Sequence, residues 1–198
     1  MRLLLSILLI TTFVSSAIAE DTEVKTENTD VKTNHTELKG SATWVSDAPL
    51  EKITGTASGS ASLHVNKGDL SKLSGTLTFS VDSMKSGSDM RDQHIKEKDW
   101  LDATQYPEIT YVVKEVKPLS EKGMVDVTGD FTLHGVTKSL SAKAKVMFKE
   151  KKDKTLMKIK AKFKISLADY KVEGTRGKIG SKVGKEIALK VTLRGIVK

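Results

Sequence analysis

From Gly40 onward apolar and polar side chains alternate with a period of two, the pattern of strands that bury one face. Leu73, Gly75, Leu77, Phe79 and Val81 interleave with Ser74, Thr76, Thr78, Ser80 and Asp82, so one face is apolar and the other hydroxylic. Val125, Val127, Gly129, Phe131 and Leu133 repeat the pattern. After a turn expected at Gly135, Leu140, Ala142, Ala144, Val146 and Phe148 repeat it again. Met157 to Ile165 and Ile187 to Leu193 alternate with lysine, threonine or arginine. Shorter candidates are Ala42 to Ser46, Ile53 to Val65 and Ile109 to Val116, which brings the total to about eight strands with short connections. The pattern predicts an all-β, antiparallel sandwich or closed barrel.

One stretch breaks the period. Ser88 to Ala103 is charge-dense, and its apolar residues Met90, Ile95, Trp100 and Leu101 do not recur at every second position. A short helical excursion near residues 88–103 is expected, with Ser88 capping its start by accepting a backbone N–H. Tyr106-Pro107 ends it, because a residue before proline is pushed into an extended conformation. Trp100 and Leu101 would then plug one end of the β structure.

The N-terminus is of a different kind. Arg2, an apolar core from Leu3 to Val14 and a small-residue site at Ala17-Ile18-Ala19 have the layout of a cleavable secretory signal over residues 1–19. Residues 20–39 hold no aromatic and are dominated by Thr, Glu, Lys, Asp and Asn, so a polar disordered spacer is expected before a folded domain over residues 40–198. The expected destination is the periplasm, or otherwise the exterior. The chain has no cysteine, so neither a disulfide nor a thiolate is available and stability rests on packing.

Charge sharpens this picture. The formal net charge is +8, yet residues 143–198 hold 18 basic and 5 acidic side chains, while residues 20–142 are net −6. A basic face attracts phosphates or anionic surfaces. Lysine alternating with apolar residues also forms the ordinary solvated face of a strand and guards sheet edges. The basic segment has few aromatics for base stacking (Phe148, Phe163 and Tyr170), which argues against nucleic acid as a partner.

Candidate chemistry is sparse. His35, His64, His94 and His134 form neither H-x-H nor H-E-x-x-H, and without cysteine no local metal site is expected. Arg91-Asp92-Gln93-His94 contains an aspartate able to orient an imidazole, so an acid–base cluster around His94 and Asp92 is one reading. The other is that Arg91 and Asp92 pin an irregular segment to the barrel end by satisfying its backbone groups. Nucleophile-elbow, P-loop and dinucleotide fingerprints do not occur.

Several motifs resemble a known family. Val81-Asp82-Ser83-Met84, Arg91-Asp92-Gln93-His94-Ile95, Asp99-Trp100-Leu101-Asp102 and Tyr106-Pro107-Glu108-Ile109-Thr110-Tyr111 resemble the central signature of the YceI-like, polyisoprenoid-binding family of bacterial secreted proteins. Val127-Thr128-Gly129-Asp130-Phe131-Thr132-Leu133-His134-Gly135-Val136-Thr137-Lys138 resembles its G-D-L-T-x-H-G-V-T-K stretch, and Ile165 to Tyr170 its aspartate–aromatic motif. The resemblance implies a lipocalin-like, eight-stranded antiparallel barrel that holds an isoprenoid or similar amphiphile without catalysis. The motif residues Arg91, Asp92, His94, Trp100, Pro107, Gly129, Asp130, His134, Gly135 and Asp169 then have structural roles. The chain departs from the family pattern near its first strands. It has Trp44-Val45-Ser46-Asp47 in place of a D-x-x-H-S opening, followed by a Gly/Ser-rich stretch from Gly55 to Ser62.

These features lead to a first expectation of an exported, non-enzymatic lipid-binding barrel that needs no cofactor and takes an isoprenoid lipid or quinone as ligand. Leu77, Phe79, Val81, Val127, Phe131, Leu133, Val146 and Phe148 are the expected lining. The rival is a barrel filled by its own side chains that uses the lysine face against an anionic partner or membrane surface. A third possibility is hydrolysis around His94 and Asp92. Alternation looks the same in a hollow barrel and a filled one, although the small residues Ala142, Ala144 and Ala161 favour a hollow interior. Transient membrane contact and a homodimer are both compatible with the sequence.

Overall fold

The alternating segments form eight antiparallel strands in the computed structural model, which describes residues 33–197. They are β1 (Asn34–Asp47), β2 (Lys52–Val65), β3 (Ser74–Ser80), β4 (Glu108–Pro118), β5 (Met124–Leu133), β6 (Val136–Lys151), β7 (Lys154–Ser166) and β8 (Glu186–Val197). Each pairs with its sequence neighbour, and β1 pairs with β8, so the sheet closes into a barrel. The expected signal and most of the expected spacer lie outside the described residues.

The spacer boundary is corrected. β1 begins at Asn34, inside the stretch expected to be disordered, and residues 34–39 pair with β2 in continuous register. Their buried face is Thr36 and Leu38, both fully buried, while His35, Glu37 and Lys39 point outward. With only one strongly apolar residue on its buried face, this part of the strand has a composition that hides its period.

Tight turns follow the local chemistry. His134 and Gly135 both have positive φ, 50° and 71°, the conformation that joins two strands through a two-residue hairpin. An added Cβ at Gly135 would lie 2.5 Å from the Tyr106 ring, so glycine is required there for space as well as for φ. In β4 the register shifts between Val113 and Glu115, a bulge that bends the strand.

The longest connection has a geometric reason. β3 is only seven residues long and pairs with β2 over Gly59 to His64, which leaves the first half of β2 without a β3 partner. The segment after β3 supplies substitutes. Thr56 and Lys85 exchange backbone bonds of 2.8 and 2.9 Å, and Ser58 N donates to Ser83 Oγ at 2.8 Å. The chain then enters helix α1 (Asp89–Lys96), whose N-terminus is capped by Ser88 accepting from Arg91 N.

Two apolar clusters occupy the interior at different heights. The first contains Leu38, Leu63, Val65, Val125, Val127, Val146, Met157 and Leu193, and it fills one half of the barrel. The second contains Trp44, Ile53, Ala57, Phe131, Leu133, Ile165 and Leu167, at the end covered by α1 and the β7–β8 connection. Ile109, Tyr111 and Phe163 pack against both and mark the boundary.

Candidate functional site

The half of the barrel walled by the second cluster is hollow, with a cavity of about 500 Å³. That is within the range of small-molecule pockets, about 300–1,000 Å³. Ala42, Phe79 and Val191, which belong to the first cluster, close its inner end. Trp44, Ile53, Ala57, Phe163, Ile165 and Leu189 contribute to the walls. Phe131 meets Phe163 and Tyr170 edge-on, with ring centroids 5.8 and 5.4 Å apart, so its ring is held by aromatic contacts on two sides.

The Gly/Ser-rich stretch explains how two of these rings fit. A Cβ at Gly55 would fall 2.2 Å from the Trp44 indole and 2.4 Å from the Lys85 carbonyl oxygen. One at Gly59 would fall 2.3 Å from Phe79. Gly55 stands opposite Trp44 and Gly59 opposite Phe79 in the strand register. Small residues in β2 therefore let two large rings lie flat against the backbone, leaving the space beyond them open.

The expected lining residues divide between the two halves. Phe79, Phe131 and Leu133 line the cavity. Val127 and Val146 are buried in the filled half, with Leu77 and Phe148 packed against it. Val81 is buried in the second cluster without reaching the cavity wall. The expectation of one lining made of all eight is thus corrected: their faces point inward, but strand tilt and register place them at different heights. Ala142, Ala144 and Ala161, expected to favour a hollow interior, do not line the cavity. Ala144 sits in the filled half with Ala161 against it, and the alanines of the cavity wall are Ala42 and Ala57. Trp44, Ile53, Phe163 and Ile165 were legible as inward-facing by alternation, but not as cavity residues.

The cavity opens at the end of the barrel, where its lining turns polar. Glu51, Ser88, Arg91, His94, Glu97, Thr175, Lys178 and Lys182 edge the opening, drawn from the β1–β2 turn, α1 and the β7–β8 connection. Arg91 Nη2 pairs with Glu51 Oε1 at 2.5 Å and ties α1 to the β1–β2 turn. Leu50 N donates to Ser181 O at 3.3 Å, and Gly184 N donates to the buried Ser46 Oγ at 2.8 Å, so the β7–β8 connection is tied to the same turn and to β1. Leu50 and Met90 are 72% and 68% exposed, apolar side chains held out in water beside this opening.

Asp92 holds the helix in place. Its buried carboxylate accepts from Ser86 N at 2.6 Å and Ser86 Oγ at 2.7 Å, and Lys85 Nζ lies 3.4 Å away. The Ser86 hydroxyl bond is the main reason its pKa falls below the ordinary 3.8, against the opposing effect of burial. His94 is exposed, at the rim and two residues along the helix from Asp92, whose hydrogen bonds go to Ser86. The Arg91–Asp92–His94 group therefore does not converge on one site: Asp92 anchors the helix, Arg91 both ties it to Glu51 and edges the opening, and His94 stands at the rim.

The other motif residues surround the same end. Trp100 lies in the cavity wall and covers Gly174, where an added Cβ would come within 2.8 Å of its ring. Pro107 O accepts from Val81 N at 2.9 Å, closing the base of the excursion. His134 stacks edge-on with Tyr106 at 5.1 Å, and its Nδ1 lies 3.3 Å from Tyr170 O. Asp169 pairs with Lys138 at 3.0 Å and Asp130 with Lys114 at 3.2 Å. Among the described residues no group of three or more His, Asp or Glu is placed to hold a metal ion.

Comparison with known proteins agrees with this architecture. The UPF0312 protein of Pseudomonas syringae pv. tomato is 56% identical over 54 residues, and protein YceI of Shigella flexneri is 35% identical over 71 residues. These stretches span 28% and 36% of the two relatives' lengths, and 27% and 36% of this chain. The crystal structure of Burkholderia cenocepacia BcnA superposes with a TM-score of 0.66 at 22% identity, covering 79% of this chain and 95% of that one. A polyisoprenoid binding domain from Saccharophagus degradans superposes with a TM-score of 0.62 at 14% identity, covering 84% of this chain and all (100%) of that one. The model of the YceI-like domain matches residues 24–194, and the chain belongs to the YceI-like domain family.

Proposed function

We propose that the protein is an exported, non-enzymatic carrier that takes up an isoprenoid or similar amphiphilic lipid in the open half of its barrel. The observation that carries this is the division of the cavity itself, with apolar side chains at depth and charged groups only at the mouth. An amphiphile has the same division. Its chain would lie against Phe79, Phe131, Leu133 and Phe163, and its head would stay among Arg91, His94, Lys178 and Lys182.

Affinity comes from chain carbons, at about 0.8 kcal/mol per buried CH₂ before ordering costs. Selection of the ligand rests on the length and width of the hollow half. The related Saccharophagus degradans domain, described as polyisoprenoid binding, supports the ligand class. The secretory-type N-terminus supports the compartment, the periplasm or beyond the cell.

Organic extraction and mass spectrometry of protein purified gently from its native envelope tests the proposal, with a control protein to correct for carry-over. A stoichiometric polyprenyl species or quinone is expected. No lipid in repeated extractions, together with no uptake of added isoprenoid by the purified chain, would refute it.

A further inference from the structure

The outer face of β6, β7 and β8 carries cations directly opposite one another. Lys143, Lys162 and Lys190 form one cross-strand row, Lys145 faces Lys160 in the next, and Lys39, Arg194 and Lys158 form a third that extends onto β1. Like charges in directly opposed positions destabilise a sheet. Burial first, then Arg194 and Lys160, lower the pKa of Lys158, so its charge is held against a cost. Acidic neighbours are few: Glu121 pairs with Lys145, Glu186 with Lys164, Asp126 stands opposite Lys143, and Glu37, two residues from Lys39 on β1, is paired with His35. The usual reason for lysine on an outer strand, protection of a sheet edge, does not apply here. β7 is hydrogen-bonded on both sides in a closed barrel.

At one end of this face three outward apolar residues meet, Met147, Leu156 and Ile196, beside Lys149, Lys158 and Arg194. Ile196 is 44% exposed. The cations spread across three strands in two dimensions, with neighbouring strands about 4.8 Å apart. No aromatic side chain stands among them on the outward positions. A linear polyanion calls for a groove or a stacking platform. A sheet of anionic headgroups over an apolar layer calls for spread cations next to a small apolar patch.

We propose that the outer face of β6, β7 and β8 docks onto an anionic lipid bilayer, its lysines on the headgroup phosphates and Met147, Leu156 and Ile196 at the headgroup–acyl boundary. The docking is independent of what the cavity holds.

The test is flotation of the full chain with vesicles of phosphatidylglycerol mixed with phosphatidylcholine, and with phosphatidylcholine alone. The N-terminal segment is identical in every variant, so differences between variants report on the face. Binding to the anionic vesicles that weakens steeply with salt is expected. Changing Lys143, Lys160, Lys162 and Lys190 together to Gln removes opposed charges without touching the core, and it should lower that binding at least roughly tenfold. The same change at Lys72, Lys96, Lys98 and Lys114, away from the face, should leave it within about twofold. Ile196→Ser should weaken vesicle binding and leave adsorption to a soluble polyanion such as heparin unchanged. Equal loss from both quadruple variants, no preference for anionic over neutral vesicles, or tight heparin binding without vesicle binding would each overturn the proposal.

Discussion

Tyr111 lies across Gly129: a Cβ added to Gly129 would sit 2.7 Å from the tyrosine ring and 2.3 Å from the Val112 carbonyl oxygen. The phenol reaches over the glycine, and its one O–H is shared between the carbonyls of Leu140, 3.0 Å away, and Val127, 3.2 Å away. Burial first, and then Asp130, push its pKa up to about 12. Tyr111 packs against both apolar clusters, at the boundary between the filled and hollow halves. Gly129→Ala is expected to cost about 1–3 kcal/mol through overpacking, measured as the shift in urea midpoint at constant slope. Tyr111→Phe should cost about 1 kcal/mol and remove a late phenol transition from the absorbance titration.

Filling the cavity should separate uptake from stability. Ala57→Phe places a ring in open space, so bound isoprenoid is expected to fall at least roughly tenfold while the melting temperature holds or rises. Val146→Ala in the filled half should instead cost about 1–3 kcal/mol and leave uptake near the original level. Fluorescent-lipid titration beside thermal melts reads both. Loss of uptake from the Val146 variant alone would place the ligand in the other half.

Asp92 predicts a response to acid. Its native pKa lies below the ordinary 3.8, so the stabilisation it contributes is complete above that value. It disappears as pH falls through the lowered native pKa, because the unfolded state then binds the proton first. Below about pH 4 the contact between α1 and Ser86 should loosen, followed by tryptophan fluorescence from Trp100 in the adjoining wall. Asp92→Asn should flatten that step and leave transitions belonging to other carboxylates in place.

Lys158 has the opposite sign. A lysine whose native pKa is lowered from 10.5 costs stability while protonated, and the cost fades as pH rises through the native pKa towards the unfolded one. Lys158→Met removes the charge opposite Arg194, and should raise the melting temperature at neutral pH by roughly 1–4 °C at low salt. The gain should shrink in high salt, where the repulsion is already screened.

The alternation of apolar and polar residues was enough to identify eight strands, their inward faces, the Ser88 cap, the turn at Gly135 and the interruption before Pro107. All of these are local. A period of two follows from the pleat of a single strand, and capping or turn chemistry involves residues a few positions apart. The segment around Arg91 and Trp100 also marked one end of the barrel as the irregular one.

Tertiary structure alone decided which inward faces enclose space. Val127 and Phe131 share one face of β5, yet the first is packed in the filled half and the second lines the cavity. The strand's period cannot encode that height, because height comes from tilt and from register with distant partners. The same pairing sets Gly55 under Trp44 and Gly59 under Phe79, so the Gly/Ser-rich run that departs from the family pattern is what admits two rings to the wall. It also brings Lys162 between Lys143 and Lys190, turning separate solvated faces into one charged surface. Closure of the barrel removed the edges those lysines would have guarded. Each strand's composition established which way its side chains point, and pairing between strands far apart in the chain determined what they meet.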